Sequence, residues 1–411
     1  MVIIFVEFIV LLVLLRKQMN IHKTSILFFT FLIQFILLFV YRVELKFLWN
    51  RDVYWSDAEY YWENTLRLLN GIPTIFYNST YVYYSYLIQK TSPFYSPLWN
   101  NISNLFLINL SFFLGIEITK PIERKKKLPI ILYLTSVANP LVIYSLIRNL
   151  KDSLFLFIVI LSIYILVKIQ HINVSIRYMI LPLYFYTFLF LLNNIRPWGF
   201  MVVFSNIIIF LLLMNPGKFS KIISFIVLLG IIFGLFQAQK FLGTIQIWLM
   251  NRENLIEYGI GSDTSNFGLL TLFIGFFRML MGPGPIRSIF GTNYFMYYTY
   301  TGLVASFIGS LIWWFLFPVL LGKVVSKLKD IFQNNFLYVT VVLLMILLIY
   351  TYFYGGSTEL RFRGILYILI TLVAIPTIIS PEKENKKMFN VLTEYVILSS
   401  LLVIPSLFFS I

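Results

Sequence analysis

Long apolar stretches, separated by short polar ones, dominate the chain. Scanned with a window of about 19 residues, they fall at 1–15, 24–41, 102–118, 128–147, 153–169, 178–193, 198–214, 222–241, 297–321, 336–354, 364–380 and 389–410. Runs near this length cross a bilayer as helices, because a helix satisfies its own backbone N–H and C=O groups where lipid cannot. The pattern predicts an all-α, polytopic membrane protein of about twelve spans, with 1–411 as a single integral membrane domain. The first run is short and carries Glu7. It lacks the basic start and small-residue cleavage site of a signal peptide. The longest stretches between runs, 42–101 and 242–296, are loops with no soluble domain in them.

Two segments inside these loops have their own pattern. Residues 267–281 are apolar, but a full crossing there would invert every later loop. They are read as a re-entrant or interfacial segment ending at the Gly282-Pro283-Gly284-Pro285 turn. From Tyr61 to Gly71, Trp62, Leu66 and Leu69 fall on one helical face and Glu63, Arg67 and Asn70 on another. This predicts an amphipathic helix lying in the membrane surface.

Composition narrows the class. The chain is 59% hydrophobic and 12% charged, yet 32 Lys+Arg against 17 Asp+Glu leave it at +15. So basic a balance suits nucleic-acid binding or a membrane protein with basic cytoplasmic loops. Sorting the loops alternately decides between them. The short loops 16–23, 119–127, 168–177, 215–221, 322–335 and 381–388 hold 18 of the 32 cations. The other set is more than twice as long and holds 13. The basic set is therefore cytoplasmic, both termini face outward, and no nucleic-acid partner is expected. The chain has no Cys, and its two His, His22 and His171, fall in cytoplasmic loops. Cysteine chemistry and an outer-face catalytic His are excluded. The Cys-free, Ile/Asn/Lys/Phe/Tyr-rich composition points to an AT-rich bacterial source and a plasma-membrane location.

What topology leaves unexplained is the outer charge. Ten of the 17 acids lie in outer loops, densest in the segment from Arg51 through Asp52, Asp57 and Glu59 to Glu63. A carboxylate here sits where a lipid-linked and a water-borne substrate meet, and suits a general base toward a hydroxyl. Solvated acids paired with Arg51 and Arg67 are the plainer alternative. Cations recur at three tight outer corners: Arg148 and Lys151, followed by Asp152; Arg196; and Arg361 with Arg363. Arginine forks match phosphate oxygens, although each cation alone is equally suited to a lipid headgroup. Arg278 and Arg287 flank the re-entrant segment and are candidates for the same pocket. The sequons Asn78-Ser79-Thr80 and Asn101-Ile102-Ser103 are short enough to arise by chance.

A family resemblance emerges from these residues. The first outer loop, Ser56-Asp57-Ala58-Glu59-Tyr60-Tyr61 followed by Leu66 and Leu68-Leu69-Asn70-Gly71, resembles the acidic motif and following helix of GT-C superfamily glycosyltransferases, especially the protein-mannosyltransferase-like branch. Tyr83–Leu87 with Leu105–Leu110, Asn139-Pro140 through Lys151-Asp152, Arg196, and Arg361 to Pro376 extend it as scattered short motifs across most of 25–380. The resemblance implies a GT-C-like fold and an inverting transferase. Its donor would be a polyprenyl-phosphate sugar and its acceptor a glycan or lipid. It implies Asp57 as base, with Asp52 competing for that role, and an additional acid at Asp152. Arg361 or Arg363 would meet the lipid phosphate. Glu59, Tyr60, Arg148, Lys151 and Arg196 are further substrate-binding candidates. No metal ligand is assigned, and a divalent cation assisting the carboxylates is left open. The extra N-terminal span departs from the family pattern. A looser resemblance links the chain to polymerases of polysaccharide repeat units. A lipid-linked-glycan flippase, expected to show mid-membrane ionisable groups and broken helices, and a non-enzymatic scaffold are the other classes considered.

Overall fold

The computed structural model describes residues 1–18, 24–55, 57–72, 77–118, 130–214, 275–277, 279–282, 284, 299–326, 335–354 and 360–379. The expected spans 222–241 and 389–410 lie outside them, as do most of 267–281, Ser56, Arg278, Arg287 and Glu359. Among the described residues all regular structure is helical. The apolar runs form α1 (Val2–Gln18), α2 (Thr24–Phe47), α5 (Pro97–Ile118), α8 (Asp152–Ile169), α9 (Val174–Asn193), α10 (Gly199–Met214), α11 (Tyr300–Ser326), α12 (Phe336–Tyr354) and α13 (Leu360–Ile379). The first outer loop contributes α3 (Asp57–Leu69) and α4 (Ser79–Lys90). Five segments are long and apolar enough to cross a membrane: Phe28–Phe47, Pro97–Ile118, Asp152–Ile169, Ser175–Asn193 and Tyr300–Phe317.

The bundle exposes apolar side chains on its outside and buries polar ones among the apolar residues of its core. Phe28, Phe39, Leu183 and Phe190 stand exposed on the peripheral helices, while Asn100, Asn101, Asn104 and Asn109 of α5 are buried. Lipid gives an outward apolar face nothing to escape from, and an inward polar group must find a partner. Glu7 illustrates the rule. It is buried, and its carboxylate accepts hydrogen bonds from Ser103 (2.7 and 2.9 Å) and Tyr84, joining α1 to α5 and α4. Buried Glu44 of α2 accepts from the backbone N–H groups of Tyr300 and Thr301 (2.7 Å to the latter). An anion at these first-turn donors suits the positive end of the helix dipole, and it fastens α2 to the start of α11.

The expected span 128–147 is two helices, α6 (Ile130–Thr135) and α7 (Pro140–Ile147). Pro140 has no N–H to continue the helix, and its ring clashes with the preceding turn. Asn139 caps the new start by accepting from the Leu141 N–H (2.9 Å). The interruption is buried, so its freed groups need partners. Gln34 donates to the Val137 carbonyl (2.8 Å) and accepts from Asn109 (2.9 Å), while Asn139 donates to the Gly309 carbonyl (3.0 Å). The short α7 then lies between α11 and α13. A Cβ at Gly302 or Gly309 of α11 would come within 3 Å of Tyr144 or Leu141, and one at Gly364 of α13 within 3 Å of Ser145 and Leu146. Glycine permits this approach.

The amphipathic helix starts four residues earlier than expected, at Asp57, with Asp57 and Glu59 in the first turn where the dipole favours acids. It ends at Gly71 in the left-handed region (φ 72°), with the Ile72 N–H donating to the Arg67 carbonyl (3.0 Å), a Schellman-type stop. Glu63, Arg67 and Asn70 are exposed as the pattern predicted. The opposite face, Ala58, Tyr61, Trp62 and Thr65, is buried, and α3 packs on α4. The apolar side of this helix is thus covered by protein.

Replacing Gln34 by Leu should leave the Val137 carbonyl buried without its donor, at a cost of about 1–3 kcal/mol. Thermal denaturation in detergent micelles should show a lower midpoint. An unchanged midpoint would mean that another group supplies that carbonyl.

Candidate functional site

The corner between α7 and α8, Arg148 to Lys151, is built by amides. Asparagines recur along the buried face of α5 at positions 100, 101 and 104. Asn101 donates to the Ile147 carbonyl and Asn104 to that of Arg148 (3.2 Å). Asn104 also accepts from Ser153 (2.6 Å). Asn149 donates to the Ala58 carbonyl (3.0 Å) and accepts from Asn100 (2.9 Å) and Tyr81 (3.2 Å). A buried corner must find partners for its backbone groups, and these amides supply them. Through Asn149, the same net fixes the first turn of α3. The sequon at Asn101 is therefore part of the scaffold, fully buried.

On that scaffold five of the expected site residues converge, Asp57, Lys151, Asp152, Arg196 and Arg361. Asp57 is the first residue of α3 and Arg361 the second of α13. The Arg361 guanidinium donates to Asp57 Oδ2 at 2.6 Å. Burial would raise the Asp57 carboxyl, but Arg361, Lys151 and Arg196 together hold it below the ordinary carboxylate value. Asp152 opens α8 and pairs with Arg196, which follows α9. The Arg196 guanidinium lies 5.4–5.9 Å from the ring centres of Phe155, Trp198, Tyr350 and Phe362, within cation–π range. Lys151 stands just before α8, its Nζ 5.8 Å from the Tyr61 ring centre. Desolvation and the Arg196 charge push its ammonium down to about 7, against the pull of Asp57 and Asp152.

Two tyrosines complete this end. Tyr60 was expected and Tyr61 was not. The Tyr60 hydroxyl accepts from the Tyr77 N–H (2.7 Å), and that of Tyr61 accepts from the Asn78 amide (2.8 Å). Tyr61 follows Asp57 by one helical turn, is buried, and packs edge-on against Tyr81. The charges of Asp57, Asp152, Arg361 and Arg196 all act on its hydroxyl. The one-turn spacing from Asp57 was a usable signal.

The other candidates are placed elsewhere. Asp52 is exposed and lies 3.6 Å from Lys46. Glu59 pairs with Arg51 at 2.9 Å, and Arg51 also covers Trp55. Arg148 is buried over the Tyr144 ring. Arg363 is fully buried and donates to the Met279 carbonyl (2.6 Å), anchoring the short 279–282 segment to α13. Of the two arginines at the start of α13, Arg361 is the one beside Asp57. Among the described residues no three His, Asp or Glu converge as a cation site.

The lowered Lys151 has a measurable consequence. Its charge is lost as pH rises past about 7, and an anion beside it favours the protonated form. Binding sulfate, which keeps its own charge over this range, should therefore take up a proton at pH 8, and its affinity should fall as pH rises through about 7. Titration calorimetry in two buffers of different ionisation enthalpy reads the uptake, and Lys151→Gln should remove it. An uptake that persists in that variant would assign the proton to another group.

No family model, curated protein or solved structure matches the chain, and a reading of its function rests on the chemistry of this charged end.

Proposed function

We propose that the chain is a multi-pass membrane glycosyltransferase. It moves a sugar from a polyprenyl-phosphate carrier to a glycan or lipid acceptor at the extracytoplasmic face of a bacterial plasma membrane. The observation that carries this reading is the pair Asp57–Arg361 with Lys151 beside it: an ionised carboxylate among cations. The loop-charge asymmetry puts this end outside, where cations have no topological reason to gather.

The chemistry follows from those groups. The acceptor hydroxyl attacks the anomeric carbon from the side opposite the phosphate and forms the new C–O bond. The bond to the phosphate oxygen breaks, and its electron pair leaves on the phosphate. Asp57 takes the hydroxyl proton. Arg361 and Lys151 meet the charge developing on the leaving phosphate. Arg196, bound to Asp152 and enclosed by rings, positions the start of α8 and lends its field from behind. The configuration at the sugar inverts.

A second reading, a lipid-linked-glycan transporter, draws on the broken helix at Ser136–Asn139 with Gln34 and Asn109 beside it. These groups are neutral amides that satisfy one another and the freed backbone. That is what a structural interruption requires, and among the described residues their hydrogen bonds run to other amides and to backbone carbonyls.

Asp57→Asn should lower sugar transfer by about a hundred- to ten-thousand-fold in liposomes supplied with polyprenyl-phosphate sugars, with the protein still folded and inserted. Full activity would remove Asp57 as base. In a deletion strain, an accumulating monosaccharide carrier supports the transferase, and accumulating whole repeat units would make the chain a polymerase instead. Transport by purified protein in vesicles without any transfer would favour the second reading.

A further inference from the structure

The two ion pairs at the charged end are unequal. Arg196 and Asp152 are 4% and 1% exposed, and four rings close around the guanidinium. Arg361 and Asp57 are 21% and 41% exposed. A buried pair loses a great deal when one partner leaves, whereas a partly exposed one holds weakly and exchanges. Arg363, two residues on, is fully buried and fixed to Met279. The exchangeable arginine is therefore Arg361.

Taking the transferase reading as its basis, we propose that Arg361 is a displaceable lock on the base: the phosphate of an incoming lipid-linked donor draws its guanidinium away from Asp57, and the carboxylate is released for the acceptor proton only once the donor is in place. The exchange is one ion pair for another, guanidinium–carboxylate for guanidinium–phosphate, and no bond forms or breaks in it. The donor's phosphodiester presents two unbridged oxygens and one negative charge, so it matches the guanidinium fork as the carboxylate does. Asp57 is not stranded by the exchange, because the Lys151 charge still acts on it and Lys151 takes up a proton from solvent as the phosphate arrives. Asp57 sits on α3 and Arg361 on α13, joined to each other by side chains alone, so the pair separates without breaking a helix. The gain is order. An acceptor hydroxyl reaching the site first meets a carboxylate whose lone pairs are engaged, and wasteful proton transfer without a donor is suppressed.

Phosphate affinity of the purified protein in micelles tests this, with farnesyl phosphate as probe and inorganic phosphate as the soluble comparison. Asp57→Asn removes the competitor for Arg361 and should tighten binding by about fivefold, the worth of a partly exposed ion pair. Glu63→Gln removes the same charge from an exposed position on the same helix and should change affinity by less than about twofold. Arg361→Gln should weaken binding. If Asp57→Asn does not stay monodisperse, Asp57→Ser makes the same comparison. Binding by Asp57→Asn that is no tighter than by Glu63→Gln would overturn the lock even if sugar transfer is confirmed. Tighter binding with no transfer of any sugar would keep the exchange and remove the transferase. Farnesyl phosphate binding more tightly than inorganic phosphate supports a lipid-linked ligand, and equal binding would overturn that identification.

Discussion

A helix interrupted inside an apolar bundle is the constraint on which the rest of this structure depends. Pro140 stops one helix, Asn139 starts the next, and the carbonyls freed between them have no water to turn to. Each unsatisfied group there would cost about 1–3 kcal/mol. Gln34, held by Asn109, meets that demand at Val137 before α7, Asn139 ties the break to Gly309, and Asn101 and Asn104 hold the carbonyls at the other end of α7. The result is an eight-residue helix fixed at both ends. Glycines on α11 and α13 let its neighbours close around it. Its C-terminus delivers Arg148, Asn149 and Lys151 to the place where α3 and α13 begin.

Electrostatics divides that place into a fixed part and a movable part. Arg196 and Asp152 are buried together, and their charges are held by each other and by aromatic faces. Asp57, Arg361 and Lys151 sit nearer the surface and carry the balance that a ligand would disturb. The same number of charges placed wholly inside would be locked, and placed wholly outside would be screened within about a Debye length. The boundary is where a small change in ligand charge has a large local effect.

Much of this could be read from the residues. The apolar runs locate the described long helices to within about six residues, and of the charges at the tight corners Lys151, Asp152, Arg196 and Arg361 are those that gather. Other features left no local trace. Arg361 and Arg363 are two apart and so roughly 200° apart around a helix, and only the packing of α13 decides which meets Asp57. Asn101 resembles a surface sequon in the chain and is buried in the fold. Its partner, Ile147, is 46 residues away, and a side-chain amide reaching a distant carbonyl has no periodicity to detect. The span 128–147 hides its break because Asn139-Pro140 sits between two runs of the same apolar character. Helix α4 is rich in Tyr, with two Ser, residues that favour helix weakly, and it is held by what packs on it.

The parts that hold this end together and the parts that give it reactivity are different kinds of residue. Apart from the buried Arg196–Asp152 pair and Arg363, the framework uses Asn, Gln, Ser and Gly, which carry no charge across the physiological range. The reactive layer uses Asp, Lys and Arg. Mutations in the second layer can therefore accumulate while the first stays intact. On the proposed function, an ancestor of this fold could change its anion preference by altering Lys151 or Arg361 without relearning how to place them. Neutral amides around a broken helix make the architecture evolvable at the one end where its chemistry is concentrated.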